Sequence, residues 1–173
     1  MKSKITFISL FLLVSAFLLT IPKSRQIDVL LITVDTLRVD YLSCYDNTKI
    51  KTPHIDRLAA RGLLFKKAFA QNVVTLPSHI NILTGTYPFY HGVRDNAGFR
   101  LSEESLLISE VLKEKGYRTA AFIGAFPLDS RFGLTQGFDV YDDSYPSRNA
   151  IEYFYPEKKA EKVIGEAKKL VKG

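Results

Sequence analysis

Asp28-Val-Leu-Leu-Ile-Thr-Val34 is the stretch that most narrows the folds open to this chain. It is a continuous aliphatic and β-branched run without polar alternation, the pattern of a strand covered on both faces, and such strands belong to parallel sheets flanked by helices. The text that follows keeps strands and helices in alternation. Thr52 is placed to cap a helix whose first turn holds Pro53, whose inner side carries Ile55, Leu58 and Ala59, and which Gly62 closes. Leu63 to Ala70 is expected as a short second strand. Leu76 to Leu83 reads as a helix stopped at Gly85, and Ser102 opens another whose Leu107, Ile108, Val111 and Leu112 face inward before Gly116. Arg118 to Ile123 returns as a strand. Ala160, Val163, Ile164, Ala167, Leu170 and Val171 then recur at helical spacing among Lys and Glu, an amphipathic last helix. This order predicts an α/β fold, a three-layer sandwich around a mainly parallel sheet.

Ahead of that body lies a different kind of text. Ile5 to Ile21 is almost wholly apolar between Lys2 and Lys4 on one side and Lys23 and Arg25 on the other, with no Asp or Glu in residues 1–26. Residues 1–26 therefore read as a signal peptide or a membrane anchor, and residues 27–173 as the folded part. The protein is expected to be exported, either periplasmic, extracellular or anchored to the membrane facing outward. The formal net charge of +6 loses its first meaning once the four leader cations are set aside, so nucleic acid is not expected as a partner. A single cysteine, Cys44, excludes an intramolecular disulfide framework and any multi-cysteine metal site.

Chemistry in parallel sheets gathers at the carboxyl ends of strands, which directs attention to Asp35 at the end of the first run. Its carboxylate can ligate a divalent cation or cap a turn. Thr75 stands at the start of the helix of Thr75-Leu-Pro-Ser-His79, at the positive end of the helix dipole, where it can serve as an N-cap or as a nucleophile. His79 inside that helix and His91 in a Tyr-His-Gly turn are read as packing or backbone-bonded histidines, and Cys44 as a small apolar residue. No G-x-S-x-G elbow and no phosphate-cradling glycine loop is present.

Asp35-Thr-Leu-Arg38, Leu83-Thr-Gly85, Tyr87-Pro88, His91-Gly92, Asp95-Asn96 and the stretch Val111 to Ala120 together resemble the sulfatase family of the alkaline phosphatase superfamily, from Asp28 to about Tyr141. The resemblance implies an alkaline-phosphatase-like fold and a metal-dependent hydrolase of sulfate or phosphate esters, acting on a small-molecule or glycan ester. It also exposes departures. Sulfatases carry two adjacent acids after the first strand, where this chain has Asp35 and Thr36. Their nucleophile is a Cys or Ser oxidised to formylglycine in C/S-x-P-S-R, where this chain has Thr75 and His79. Threonine cannot give that aldehyde. The T-x-P-x-H, TG-x-YP-x-x-HG and DN pieces are similar to the nucleotide pyrophosphatase/phosphodiesterases of the same superfamily. That likeness implies Asp35 as metal ligand, Thr75 as nucleophile and metal ligand, Asn96 as a hydrogen-bond donor to the ester oxygens, and a divalent metal among Zn, Ca, Mg and Mn. The superfamily completes its metal site with Asp and His residues much further along a longer chain, and no His follows Asp142-Asp143 here. The expectation is thus an incomplete, N-terminal part of a catalytic domain, inactive alone. The alternative is a non-catalytic, membrane-anchored remnant or partner-binding module.

Overall fold

The computed structural model describes residues 27–145 and 157–172 and divides the chain into two units, 1–36 and 37–173. The leader of residues 1–26 lies outside the described residues. Within the first unit, residues 27–34 have no regular secondary structure, and their apolar side chains are exposed, Leu30 at 82%. The strand expected there is absent: a strand exists only as part of a ladder, and the only sheet among the described residues pairs two other segments. Asp35 and Thr36 follow as a turn, with Thr36 at φ 55°.

The second unit begins with two 3-10 turns, Val39–Tyr41 and Ser43–Tyr45, and helix α1, Pro53–Arg61. Thr52 occupies the cap position of α1 as expected, but its hydroxyl donates to Asp56 Oδ1 (3.0 Å) and accepts the Ser43 N–H (3.1 Å) instead of capping an amide of its own helix. Ser43 Oγ donates to the other Asp56 oxygen (2.6 Å) and accepts the Thr52 N–H (2.8 Å), so the 3-10 turn and the helix start are tied together by polar groups. The second strand expected at Leu63 to Ala70 does not form. Residues 63–73 run without ladder bonds, and Leu63, Phe65, Phe69 and Val73 are exposed.

Helix α2, Thr75–Thr84, carries the centre of the core. Leu76 and Ile80, one turn apart, are fully buried against Val93, Leu101, Leu107, Leu128, Phe132 and Leu134. Each such side chain contributes about 1.5–3 kcal/mol on removal from water. Gly85 ends α2 in the left-handed region at φ 67°, as its sequence position predicts. The single-turn helix α3, Pro88–His91, follows.

The next helix, α4, spans Ile108–Glu114, six residues later than Ser102. Ser102 opens a separate turn, accepting the Ser105 N–H on its carbonyl and the Glu104 N–H on its hydroxyl. Leu107 is buried, but Ile108 (46% exposed) and Val111 (38%) are not, so the expected inward face narrows to Leu107 and the partly buried Leu112. The Glu110 carboxylate accepts the Leu107 N–H (2.8 Å) and fixes the start of the helix.

Strand β1, Ala120–Phe122, lies inside the expected run, and pairs in parallel with β2, Val140–Asp142, in the register Ala120 with Val140, Ala121 with Tyr141 and Phe122 with Asp142. Helix α5, Ala160–Lys172, packs on β1. The segment before α5 is fastened by Lys158, whose side chain is 4% exposed and whose Nζ lies 3.0 Å from Asp142 Oδ1 at the carboxyl end of β2. Helices around a parallel pair make this an α/β arrangement. No helix among the described residues is long and apolar enough to cross a membrane.

Candidate functional site

The second unit builds its candidate site at the first turn of α2. Val74, extended at φ −102° and ψ 137°, leads into the helix and offers no side-chain cap. The cap comes from elsewhere in the chain. Asn96 Oδ1 accepts the Leu76 N–H at 2.8 Å, satisfying one of the amides that a helix start leaves unpaired. Leu76 is buried and cannot move with solvent, so this bond holds Asn96 one peptide away from Thr75. Thr75 and Asn96 are both half-buried, open enough for a ligand to reach.

The loop that carries Asn96 is itself anchored. His91 is buried, its Nδ1 accepts the Val93 N–H (3.2 Å), and its Nε2 is hydrogen-bonded to the Asn81 side-chain amide (2.8 Å) in the middle of α2. Burial lowers the pKa of this imidazole below its usual value and so favours the neutral ring, whose unprotonated Nδ1 can accept the Val93 N–H. Gly92 at φ 77° turns the chain, Val93 enters the core, and Asp95 Oδ1 accepts the Asn96 N–H (2.7 Å). His91 and Asn81 thus pin the loop to the middle of α2, and Asn96 pins it to the start. His79 is backbone-bonded: its Nδ1–H donates to the Thr75 carbonyl at 2.8 Å.

Of the three residues singled out in the sequence, the structure brings Thr75 and Asn96 together. Asp35 belongs to the first unit, where its Oδ1 accepts the Thr36 N–H (3.0 Å) and its carbonyl accepts the Thr36 hydroxyl (2.8 Å). Arg38, the last residue of the Asp35-x-x-Arg38 pattern, grips Asp40 with Nε at 2.9 Å and Nη2 at 2.6 Å from the two carboxylate oxygens. The paired carboxylate raises the Arg38 pKa, and the guanidinium holds Asp40 below the usual carboxylate range. What sequence reasoning missed is which end of the Asn96 amide is engaged. Its carbonyl is taken by Leu76, which turns the donating NH2 group into the one available to a ligand. No spacing rule announces a cap that crosses 20 residues.

Among the described residues no group of three or more His, Cys, Asp and Glu could hold a metal ion. Asp35, in the first unit, and Thr75, in the second, each offer an oxygen donor of the type hard divalent cations accept. A catalytic zinc site takes three protein ligands and calcium six to eight oxygens.

The Sulfatase family profile matches residues 27–169. Over 139 residues the chain is 34% identical to an N-acetylgalactosamine-6-O-sulfatase of Bacteroides thetaiotaomicron, covering 76% of this chain and 26% of that protein. It is 35% identical over 158 residues to an iduronate 2-sulfatase of Mus musculus, covering 86% and 27%. Among solved structures it is similar to a protein in complex with its substrate D-glucosamine-2-N,6-O-disulfate, with a TM-score of 0.61 and 29% identity over 78% of this chain and 28% of the other. It is also similar to a phosphonate monoester hydrolase of Agrobacterium radiobacter, with a TM-score of 0.56 and 25% identity over 65% and 25%. The chain spans about a quarter of the length of the relatives it matches.

Proposed function

The chain belongs to the sulfatase family of the alkaline phosphatase superfamily, and on that footing we propose that it serves the hydrolysis of sulfate or phosphate esters with Thr75 as nucleophile. The observation that carries this reading is the Asn96 carbonyl on the Leu76 amide, which holds Asn96 at the residue after Thr75 and leaves its NH2 as the end that would donate to the non-bridging oxygens of an ester. Thr75 Oγ1 attacks the sulfur or phosphorus and its proton passes to solvent water. The bond to the leaving oxygen breaks, that oxygen takes a proton from water and departs as the alcohol, and a second water attacks the sulfur or phosphorus held on Thr75, releasing sulfate or phosphate and restoring the hydroxyl. Charge growing on the non-bridging oxygens during both steps is met by the Asn96 NH2 and the positive end of α2. Asp35 and Thr75 are proposed as two of the ligands of a divalent metal, which when bound with further ligands would lower the proton affinity of the threonine hydroxyl.

The substrate is proposed to be a sulfated amino sugar or a glycan carrying one, because relatives and a structural neighbour bear such names. Export directed by residues 1–26 is part of the same proposal.

The test is a chimera in which residues 27–169 replace the matching segment, about a quarter, of the Bacteroides N-acetylgalactosamine-6-O-sulfatase, so that the remaining ligands are supplied. The expected result is metal-dependent turnover of an aryl sulfate or phosphate ester that disappears in Thr75→Ala. A folded chimera that is active only as Thr75→Cys, the precursor of a formylglycine nucleophile, would reject threonine in the role.

A further inference from the structure

The positive charge of this protein is not spread over its surface. Residues 27–46 hold one Arg against four Asp, and residues 68–173 hold thirteen Lys and Arg against thirteen Asp and Glu. Residues 47–67 hold six cations, Lys49, Lys51, Arg57, Arg61, Lys66 and Lys67, against a single acid, Asp56. Outside the leader, the whole excess therefore lies on α1 and its two flanks.

Geometry turns this count into a surface. Asp56 does not neutralise the six, because its two oxygens are occupied by Ser43 Oγ at 2.6 Å and Thr52 Oγ1 at 3.0 Å. Those hydroxyls hold its pKa below the usual carboxylate range, and it sits on the inner, half-buried side of the helix. All six cations are exposed, and among the described residues none makes an ion pair with a carboxylate. Arg57 and Arg61 are one helical turn apart and so share a face. The flanks are fixed to the same block. Asn47 Oδ1 accepts the Lys49 and Ile50 N–H groups at 2.8 Å, Tyr45 OH donates to the Phe65 carbonyl at 2.9 Å, and the Lys66 ammonium lies 5.4 Å from the Tyr45 ring centroid. Unneutralised cations on one ordered block repel each other unless an anion meets them, and a rigid array of this kind fits a partner with repeated negative charge.

We propose that α1 and its flanks form a docking surface for a linear sulfated glycan, separate from the Thr75 site. The choice of glycan over other polyanions rests on the ester-hydrolase reading above, since the chain that bears the ester also bears repeated sulfates. Binding would hold a polymeric substrate close while one of its esters reacts.

The experiment measures binding of the full chain to dextran sulfate by calorimetry over a range of NaCl concentrations. Uncharged dextran, poly(dT) and phosphatidylglycerol vesicles are run beside it. The triple variant Arg57→Gln, Arg61→Gln, Lys67→Gln is compared with Lys159→Gln, Lys162→Gln, Lys168→Gln, which removes the same charge at and just before α5. The first is expected to lose about tenfold or more in affinity at 0.15 M NaCl and to flatten the plot of log K against log salt, as loss of counterion-releasing contacts requires. The second should stay within about twofold, and Thr75→Ala should bind as the parent does. Equal loss in the two triples, weakened binding in Thr75→Ala, or poly(dT) or vesicles binding as tightly as dextran sulfate would each overturn the proposal. Because Thr75→Ala reports on binding without chemistry, failure of the ester-hydrolase reading shows in the chimera and failure of the docking surface shows here.

Discussion

Asn96 caps a helix to which it does not belong: its side-chain carbonyl takes the Leu76 amide 20 residues earlier in the chain, and its side-chain nitrogen is left for the proposed role of donor. The two ends of one amide would then carry two separable duties. Asn96→Ala leaves a partly buried N–H without its partner and is expected to lower stability by about 1 kcal/mol, read as a shift in the urea midpoint. Asn96→Asp keeps an acceptor for Leu76, and its negative charge suits the start of a helix, so its midpoint should hold or rise. In the active chimera the same Asp should nevertheless depress turnover at least as much as Ala, because it replaces a donor by a second anion. A chimera in which Asn96→Asp keeps full activity would confine Asn96 to the structural duty.

Gly137 tests how closely the loop before β2 is set against α4. It sits at φ 75°, and a Cβ there would overlap the Glu110 backbone nitrogen and lie 2.6 Å from its Cα. Both atoms belong to a helix and cannot swing aside. The neighbouring Ser109 hydroxyl, donating to the Gln136 carbonyl at 2.6 Å, holds the loop in place. Gly137→Ala combines backbone strain with a backbone clash and should destabilise by more than about 2 kcal/mol. Gly85→Ala shares the positive φ but meets nothing within 4 Å, so it should be milder by chemical denaturation.

Asp139 makes stability depend on acid. Its Oδ1 meets Lys113 Nζ at 2.7 Å, and its Oδ2 accepts the Thr119 N–H at 2.9 Å, which brings the carboxyl down to about 2 in the folded protein. A depressed folded pKa means that the unfolded chain takes up the proton first. The contribution is therefore complete above the ordinary carboxylate value near 3.9 and fades as pH falls from there through about 2. Urea midpoints of the parent and Asp139→Asn should differ at pH 6 and converge towards pH 2. A constant gap over that range would mean that the ion pair with Lys113 is not the source.

Helices with complete punctuation were legible in the sequence. Pro53 and Gly62 bracket α1, Thr75 and Gly85 bracket α2, and the Val163, Ala167 and Leu170 spacing gives α5, because local chemistry alone sets these limits. β1 was legible from Ala120-Ala-Phe122. The runs at 28–34 and 63–70 carry strand composition without a ladder, since pairing is decided by neighbours and not by the run itself. β2 is three residues long and offers no period to count, and the late start of α4 turns on a single Glu110 carboxylate bond. Thr75 and Asn96 could be named from a resemblance. Their physical link could not, because it passes through the amide of a third residue.

Among the described residues no group of three or more His, Cys, Asp and Glu could hold a metal ion, and this bears on activity. With Asp35 and Thr75 as its proposed protein ligands, a divalent ion would stay mostly hydrated and its pull on the Thr75 hydroxyl would be small. A hydroxyl close to the proton affinity of an ordinary alcohol is a poor nucleophile at neutral pH, whatever the donors aimed at the ester oxygens. The chain on its own, assayed with Zn²⁺, Mn²⁺, Mg²⁺ or Ca²⁺ on aryl sulfates and phosphodiesters, should therefore turn over no faster than Thr75→Ala, while the chimera does. Metal-dependent turnover by the chain alone that vanishes in Thr75→Ala would show that it holds a full ligand set, and would direct the search for the missing donors to residues 146–156 and to the first unit around Asp35.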